Sequence, residues 1–288
     1  MKPFQYFSPN NIEEVIFLLM AYKEEAKIIA GGTDLVVQMR RGLIKPKYII
    51  DISNLKNLSY IRDDDKNGLK IGAITTIRDI EKSNIINSKY SIISQAASKL
   101  GSVAIRNIAT VGGNLCNAMP IADMSQVLLA LSGRAKLVGP NGERFVPLEK
   151  FFIDVGKTCI NIGELLVEIQ IPTPLPNSKG LYIKHLNRGS IDLPIVNVAI
   201  FITLNEEKNF CKDIKIVLGS VAPTPIRAFK AETVIKGNQI DDNIIEKTAE
   251  IASEEAHPRP NSIRASVEYK KEMIKVYIRK LIKEAILH

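Results

Sequence analysis

The chain has 288 residues, 45% of them hydrophobic and 24% charged, the balance of an ordinary globular protein, with no apolar run long enough to span a bilayer. Its formal net charge of +8 fits an anionic cofactor or acidic partners; nucleic acid is disfavoured, because Trp is absent and no aromatic residues interleave with the basic ones to stack on bases. The three cysteines, Cys116, Cys159 and Cys211, form no CxxC pair, which excludes a zinc or iron–sulfur site built from this chain alone and leaves redox chemistry to an organic cofactor or to a metal on another chain.

At this length two or three packed units are expected. Met1-Lys2-Pro3-Phe4 lacks the charged-then-apolar pattern of a secretory signal, so a cytoplasmic protein is expected. Ser8-Pro9-Asn10 precedes a helix predicted over 12–22, where Val15, Ile16, Leu18, Leu19 and Tyr22 recur at helical spacing. Lys27-Ile28-Ile29-Ala30 reads as a buried strand ending in Gly31-Gly32. A short helix over 35–41 then stops at Gly42, and Tyr48-Ile49-Ile50-Asp51 is a second strand. Residues 69–73 read as a strand, Thr75-Thr76 as caps for the next helix, 86–100 as mostly helical, 101–114 as irregular and glycine-punctuated, and 123–131 as helix. Residues 134–138 and 144–147 flank Gly139-Pro140-Asn141-Gly142, a hairpin signal, because Asn-Gly tolerates the positive φ of tight turns; 165–171 is a further strand.

Pro172-Thr173-Pro174-Leu175-Pro176-Asn177-Ser178 is the linker candidate, since its prolines can continue neither strand nor helix. Beyond it come three strands (180–186, 194–204, 213–221) and then helices (226–236, 243–256, 266–287), the order of an α+β unit. The cations of the last helix (Lys270, Lys271, Lys275, Arg279, Lys280, Lys283) read as a solvated face.

Two loops carry candidate chemistry, Ala30-Gly31-Gly32-Thr33-Asp34-Leu35 and Thr110-Val111-Gly112-Gly113-Asn114, each following an apolar, strand-like run. Glycine lets backbone N–H groups approach a ligand, consecutive N–H groups form an anion nest, and a following helix adds its positive end. Thr33 and Thr110 offer hydroxyl donors. Two such loops can grip a pyrophosphate from both sides. Neither is a P-loop, which needs Gly-Lys-Ser/Thr, and neither is a G-x-G-x-x-G Rossmann fingerprint, so ordinary ATP and NAD folds are argued against. Gly-Gly pairs also arise by chance, and on the residues alone an ordinary turn stays open.

Together, Ala30-Gly31-Gly32-Thr33-Asp34-Leu35 and Ala109-Thr110-Val111-Gly112-Gly113-Asn114-Leu115-Cys116-Asn117-Ala118 resemble the paired FAD-binding motifs of the flavoprotein subunits of xanthine dehydrogenase, nicotinate dehydrogenase and carbon monoxide dehydrogenase. Leu218-Gly219-Ser220-Val221-Ala222-Pro223-Thr224-Pro225-Ile226-Arg227-Ala228 resembles the same family's C-terminal signature, so the likeness spans nearly the whole chain. It implies an α+β fold: a vanillyl-alcohol-oxidase-like (PCMH-type) FAD-binding domain over 1–172, in two α/β subdomains of about 1–55 and 56–172. A C-terminal α+β domain over 179–288 closes on the flavin.

By that resemblance the backbone of Ile29, Ala30, Gly31, Gly32, Thr33, Asp34 and Leu35 wraps the FAD pyrophosphate, and Thr110, Gly113 and Asn114 complete the cradle. Asp123 accepts from cofactor hydroxyls; read alone, it is equally well a helix N-cap. Leu166 lines the flavin pocket, though alone it reads as a core strand residue. Lys184 lies near the isoalloxazine ring, although as a strand lysine it reads as exposed. Residues 186–195, with Arg188, Gly189 and Asp192, correspond to a mobile loop beside the flavin. His185, His257 and His288 read as non-catalytic, and covalent attachment through Cys116 is not expected.

The function implied is the FAD subunit of a molybdenum hydroxylase. It takes electrons from the [2Fe-2S] clusters of a small subunit, fed by a molybdopterin large subunit, and passes them to NAD+, with xanthine as the first expectation for substrate. A nicotinate, carbon monoxide or aldehyde dehydrogenase flavin subunit remains open, as do a self-contained flavin oxidoreductase and a non-enzymatic anion binder.

Overall fold

The computed structural model describes residues 1–64, 66–189 and 192–287. The chain opens with a parallel sheet, β1 (Gln5–Phe7), β2 (Ala26–Ile29) and β3 (Tyr48–Asp51), in the order β1-β3-β2. Helices α1 (Ile12–Tyr22) and α2 (Leu35–Arg40) make the crossovers that parallel pairing requires. Asn11 starts α1 by accepting the Glu14 N–H at 2.8 Å, and Val15 and Leu19, one turn apart, pack with Ala26, Ile50 and Ile52.

The second unit is an antiparallel sheet of β4 (Ile61–Asp64), β5 (Gly68–Gly72), β6 (Arg134–Gly139), β7 (Gly142–Pro147) and, after the short hairpin β8 (Phe152–Asp154) and β9 (Lys157–Thr158), β10 (Leu165–Ile171). Its order is β4-β5-β10-β6-β7. The β6–β7 hairpin turns on Pro140-Asn141, and the positive φ falls on Gly142. Between β5 and β6 lie α3 (Ile77–Lys82), α4 (Asn84–Lys89), α5 (Ser91–Ser98), α6 (Val103–Arg106), α7 (Val111–Cys116) and α8 (Asp123–Ala130).

Residues 86–100 are mostly helical as expected, in two helices divided at Tyr90, which leaves helical geometry (φ −132°, ψ 40°) to bury its ring and donate its hydroxyl to Asp63 at 2.9 Å. One expectation is corrected here. The segment 101–114 is largely helical rather than irregular. Ser102 starts α6 by accepting the Ile105 N–H, and Thr110 starts α7 by accepting the Gly113 N–H.

Residues 172–177 carry neither strand nor helix. The third sheet follows, β11 (Ser178–His185), β12 (Val196–Leu204), β13 (Cys211–Gly219) and β14 (Ile226–Arg227), all antiparallel. It is covered by α9 (Phe229–Ile235), α10 (Asp242–Glu254) and α11 (Val267–Leu287). The helix expected from 226 starts later, because Ile226 and Arg227 pair with Leu218 and Val217 of β13. All of α8 is buried, because it packs between the second unit and the faces of β12 and β13. Tyr182, Ala199 and Val217 thereby join the core of the second unit. No helix among the described residues is long and apolar enough to cross a membrane.

Candidate functional site

The two glycine loops touch. A Cβ on Gly31 would sit 1.9 Å from the Ile108 carbonyl oxygen, so only glycine lets the backbone at the end of β2 lie against the turn between α6 and α7. Gly32 has φ +68°, the left-handed geometry that swings the chain from β2 into α2. The amide N–H groups of Gly31, Gly32, Thr33 and Asp34 lie between these elements and meet no acceptor among the described residues. A row of free backbone donors on a tight turn is an anion nest.

The second loop contributes differently from expectation. Gly112-Gly113 lies inside α7, preceded by α6 and not by a strand. Gly112 is a packing glycine: its N–H donates to the Ala73 oxygen at 2.8 Å, and a Cβ there would be 2.6 Å from that oxygen. Gly113 is exposed, and the one neighbour a Cβ would meet is Thr110 Oγ1. Thr110 Oγ1 accepts the Gly113 N–H at 3.1 Å and keeps its own proton to donate. Asn114 Oδ1 accepts the Met124 N–H at 3.3 Å, which leaves the Asn114 amide NH2 for another partner. Because α2 and α7 span six residues each, the donors act individually here, and the helix macrodipole adds little.

Gln38 on α2 donates to Asn117 Oδ1 at 3.4 Å and ties the two loops together on one side. Asp34 faces the same amide; packing around its carboxyl raises its pKa, and the hydrogen bond with Asn117 opposes that rise.

Asp123 and Lys184 meet, contrary to the exposed position that a strand lysine suggests. The Lys184 side chain is 3% exposed, and its Nζ donates to Asp123 Oδ2 at 2.8 Å and to the Lys99 oxygen at 2.9 Å. Tyr182 donates its hydroxyl to Asp123 Oδ1 at 2.7 Å and accepts from Asn197 Nδ2 at 2.9 Å. Asp123 therefore does not act as an N-cap; it is the first residue of α8, and Ala122 holds the cap position without a side-chain bond. Burial raises the Asp123 carboxyl pKa, while Lys184, Tyr182 and Lys99 pull it down. Tyr182, Asn197 and Lys99 were absent from the sequence-based set. The alternation of β11, which puts Tyr182 and Lys184 on one face, was the signal available.

Leu166 is 3% exposed and sits in the hydrophobic core opposite Leu137, beneath α7 and α8. His185 bridges Tyr269 and Tyr277 of α11 at 3.0 and 2.7 Å, a packing role, and burial lowers its pKa. Ser190 and Ile191 of the expected mobile loop, and His288, lie outside the described residues. The Ile195 N–H donates to the His185 oxygen and closes the base of that loop. No cluster of His, Cys, Asp and Glu able to hold a metal occurs among the described residues.

Contacts therefore run without a break from loop 31–34 through Ile108 and Thr110 to Asn114, and on through α8 to Asp123, Tyr182 and Lys184. The chain matches the FAD binding domain in molybdopterin dehydrogenase over residues 2–174 and the CO dehydrogenase flavoprotein C-terminal domain over 182–285. It is 32% identical to the glyceraldehyde dehydrogenase medium chain of Sulfolobus acidocaldarius, with 98% of each chain covered. Identity to the xanthine dehydrogenase FAD-binding subunit of Escherichia coli O157:H7 is 31%, covering 93% of this chain and 91% of that one. The structure resembles a chain of reconstituted CO dehydrogenase from Oligotropha carboxidovorans, with a TM-score of 0.94, 29% identity, and coverage of 100% and 99%. The chain belongs to the family of FAD-binding flavoprotein subunits of molybdopterin dehydrogenases, with the α+β, PCMH-type fold of that family.

Proposed function

We propose that the chain holds FAD where its two glycine loops meet and relays electrons within a molybdenum hydroxylase. One observation carries this reading: Gly31 lies in backbone contact with Ile108 and Ala109, next in sequence to Thr110, and the N–H groups of residues 31–34 meet no acceptor among the described residues. That donor set fits a dianionic diphosphate, which needs many N–H and O–H groups and no carboxylate pointing at it. In this reading the backbone of Ile29 to Leu35, with Thr110, Gly113 and Asn114, binds the diphosphate. Asp123 takes a hydroxyl of the cofactor, Leu166 supports the floor of the pocket, and Lys184 lies toward the flavin ring. Bound there, FAD supplies interconversion between one-electron and two-electron transfer. The chain's own part is binding, orientation and electrostatics.

The electron donors are proposed to be a small subunit with [2Fe-2S] clusters and a large subunit with the molybdopterin cofactor. This chain offers only Cys116, Cys159 and Cys211, none of them spaced for a cluster. The acceptor is proposed to be NAD+, and the setting the cytoplasm, where these three thiols stay reduced. For the substrate hydroxylated on the large subunit we propose a purine of the xanthine type, on the likeness to the xanthine dehydrogenase subunit. An aldehyde is the second reading, on the equal likeness to the glyceraldehyde dehydrogenase chain. Purification of the native complex tests both. Stoichiometric molybdenum, iron and FAD with xanthine-dependent NADH formation is the expected result. Glyceraldehyde-dependent turnover selects the second reading, and a lone chain turning over its own substrate contradicts both.

A further inference from the structure

Asp123 is 5% exposed, yet it is a carboxylate with about four acceptor sites. Two are taken by the protein, one on each oxygen: Tyr182 donates to Oδ1 and Lys184 to Oδ2. Lysine alone would leave the carboxylate free to rotate about its terminal torsion, which is broad. A second donor on the other oxygen removes that freedom. The Tyr182 hydroxyl has a single proton, and a carboxylate can only accept, so that proton belongs to Asp123 and Asn197 must present its NH2 to the tyrosine oxygen. Lys99 closes the frame: its Nζ donates to the Tyr182 backbone carbonyl at 2.9 Å and lies 5.3 Å from the centre of the Tyr182 ring, while its own backbone carbonyl accepts from Lys184.

We propose that Tyr182 is the positioning residue of the cofactor site: held by Asn197, its hydroxyl fixes the Asp123 carboxylate so that one acceptor site on each oxygen stays turned to the hydroxyls of FAD. The Tyr182 hydroxyl spends its proton on Asp123 and accepts from Asn197, so it acts on the cofactor through Asp123. The inference rests on the FAD reading. It also gives Lys184 a first duty, as the counter-ion of Asp123, with one N–H left over for the flavin.

The charged groups around Asp123 are Lys184 on β11 and Lys99 after α5, and Lys99 in turn faces Glu284 and Lys280 of α11. Removing the tyrosine hydroxyl deletes a hydrogen bond to the ionised carboxylate, so protonation of Asp123 on acidification comes earlier. The experiment is FAD release from the purified full-length protein, followed by flavin fluorescence across the acid range, for wild type, Tyr182→Phe and Asn197→Ala. Tyr182→Phe is expected to hold FAD roughly tenfold less tightly at neutral pH, with the acid-side loss of FAD displaced to higher pH. Asn197→Ala is expected to shift the profile the same way by less, and it decides the matter should Tyr182→Phe not fold. A purely structural role would lower the melting temperatures of loaded and stripped protein alike and leave the profile superimposed on wild type. That superposition overturns the proposal while the FAD reading stands. A wild-type protein that carries no flavin overturns both.

Discussion

Gly31 and Gly32 are adjacent, yet each has its own reason to be glycine. At Gly31 the obstacle is the Ile108 oxygen; at Gly32 it is the left-handed φ. Gly31→Ala is expected to force the loops apart, cost about 1–3 kcal/mol, and release FAD. Gly32→Ala is expected to cost about 1–2 kcal/mol, chiefly through the left-handed backbone, with Ile29 and Val36 giving way slightly. Chemical denaturation with a parallel flavin assay checks both; a Gly31→Ala protein with wild-type stability would contradict the contact. The glycine pairs were legible as turn chemistry, but the partner of Gly31 was not, because a carbonyl 77 positions away leaves no local signal. Lys184 was misread for the same reason, since alternation gives the face of a strand but not what lies against it.

A second residue-scale prediction concerns pH. Arg144 donates to both oxygens of Glu164, at 2.6 and 2.7 Å, and holds that carboxyl below its ordinary pKa of 4.5. The folded value lies below the unfolded one, so the stabilisation is present above the ordinary pKa and is lost as pH falls through the folded value. Arg144 is partly exposed, so Arg144→Ala is expected to lower the melting temperature by only about 1–3 °C at pH 7. The difference from wild type should vanish in acid; a difference that persists there would contradict the pairing.

Among the elements, the long strands and α1, α10 and α11 were legible because their periodicity runs over many residues. The short helices α6 and α7 were not. They span four and six residues, and what starts them is a single side-chain cap each, from Ser102 and Thr110. The break at Tyr90 escaped notice because a tyrosine suits a helix; only its buried hydroxyl partner Asp63 explains the kink. Helix α8 is the hinge of the packing, since it is buried on all sides. Gly219 of β13 admits it closely: a Cβ there would lie 2.2 Å from Gln126 Nε2. Around this contact Gln126 Oε1, Asn197 Oδ1 and Ser220 Oγ are buried without a partner among the described residues, so the region has no hydrogen-bond reserve to absorb a shift. Gly219→Ala is expected to destabilise by about 2–3 kcal/mol, measured by denaturant titration. An unchanged midpoint would show that α8 does not pack there.

At the scale of the molecule, the C-terminal unit is held to the rest by the shared core, by the Lys184–Asp123 pair and by a second charged link at Arg227. Arg227, inside the signature segment of the C-terminal unit, pairs with Glu232 of its own unit and with Glu149 of the second unit. Glu232 also accepts the Ile216 N–H at 2.8 Å. Arg227→Ala leaves Glu232 buried without its cation and is expected to cost about 3 kcal/mol. Cleavage within the proline-rich segment 172–177 should accelerate in limited proteolysis; an unaltered cleavage rate would contradict a role for Arg227 in holding the units together. The three long strands followed by helices beyond residue 178 were legible in the sequence. The Arg227 link was not, because Glu149 and Arg227 are separated by the whole of β8 to β13.

The central claim is that two glycine loops, remote in sequence, jointly grip the diphosphate of one FAD. Gly113 tests it most directly, because the one atom its Cβ would crowd is Thr110 Oγ1, 2.9 Å away on a side chain of the proposed cradle, and its backbone is helical and not left-handed. The measurement is flavin content per chain, from the visible spectrum and the identity of the released flavin, for wild type and Gly113→Leu. The account predicts about one FAD per chain in the wild type and a colourless Gly113→Leu protein with unchanged circular dichroism. Full flavin occupancy in Gly113→Leu would contradict it.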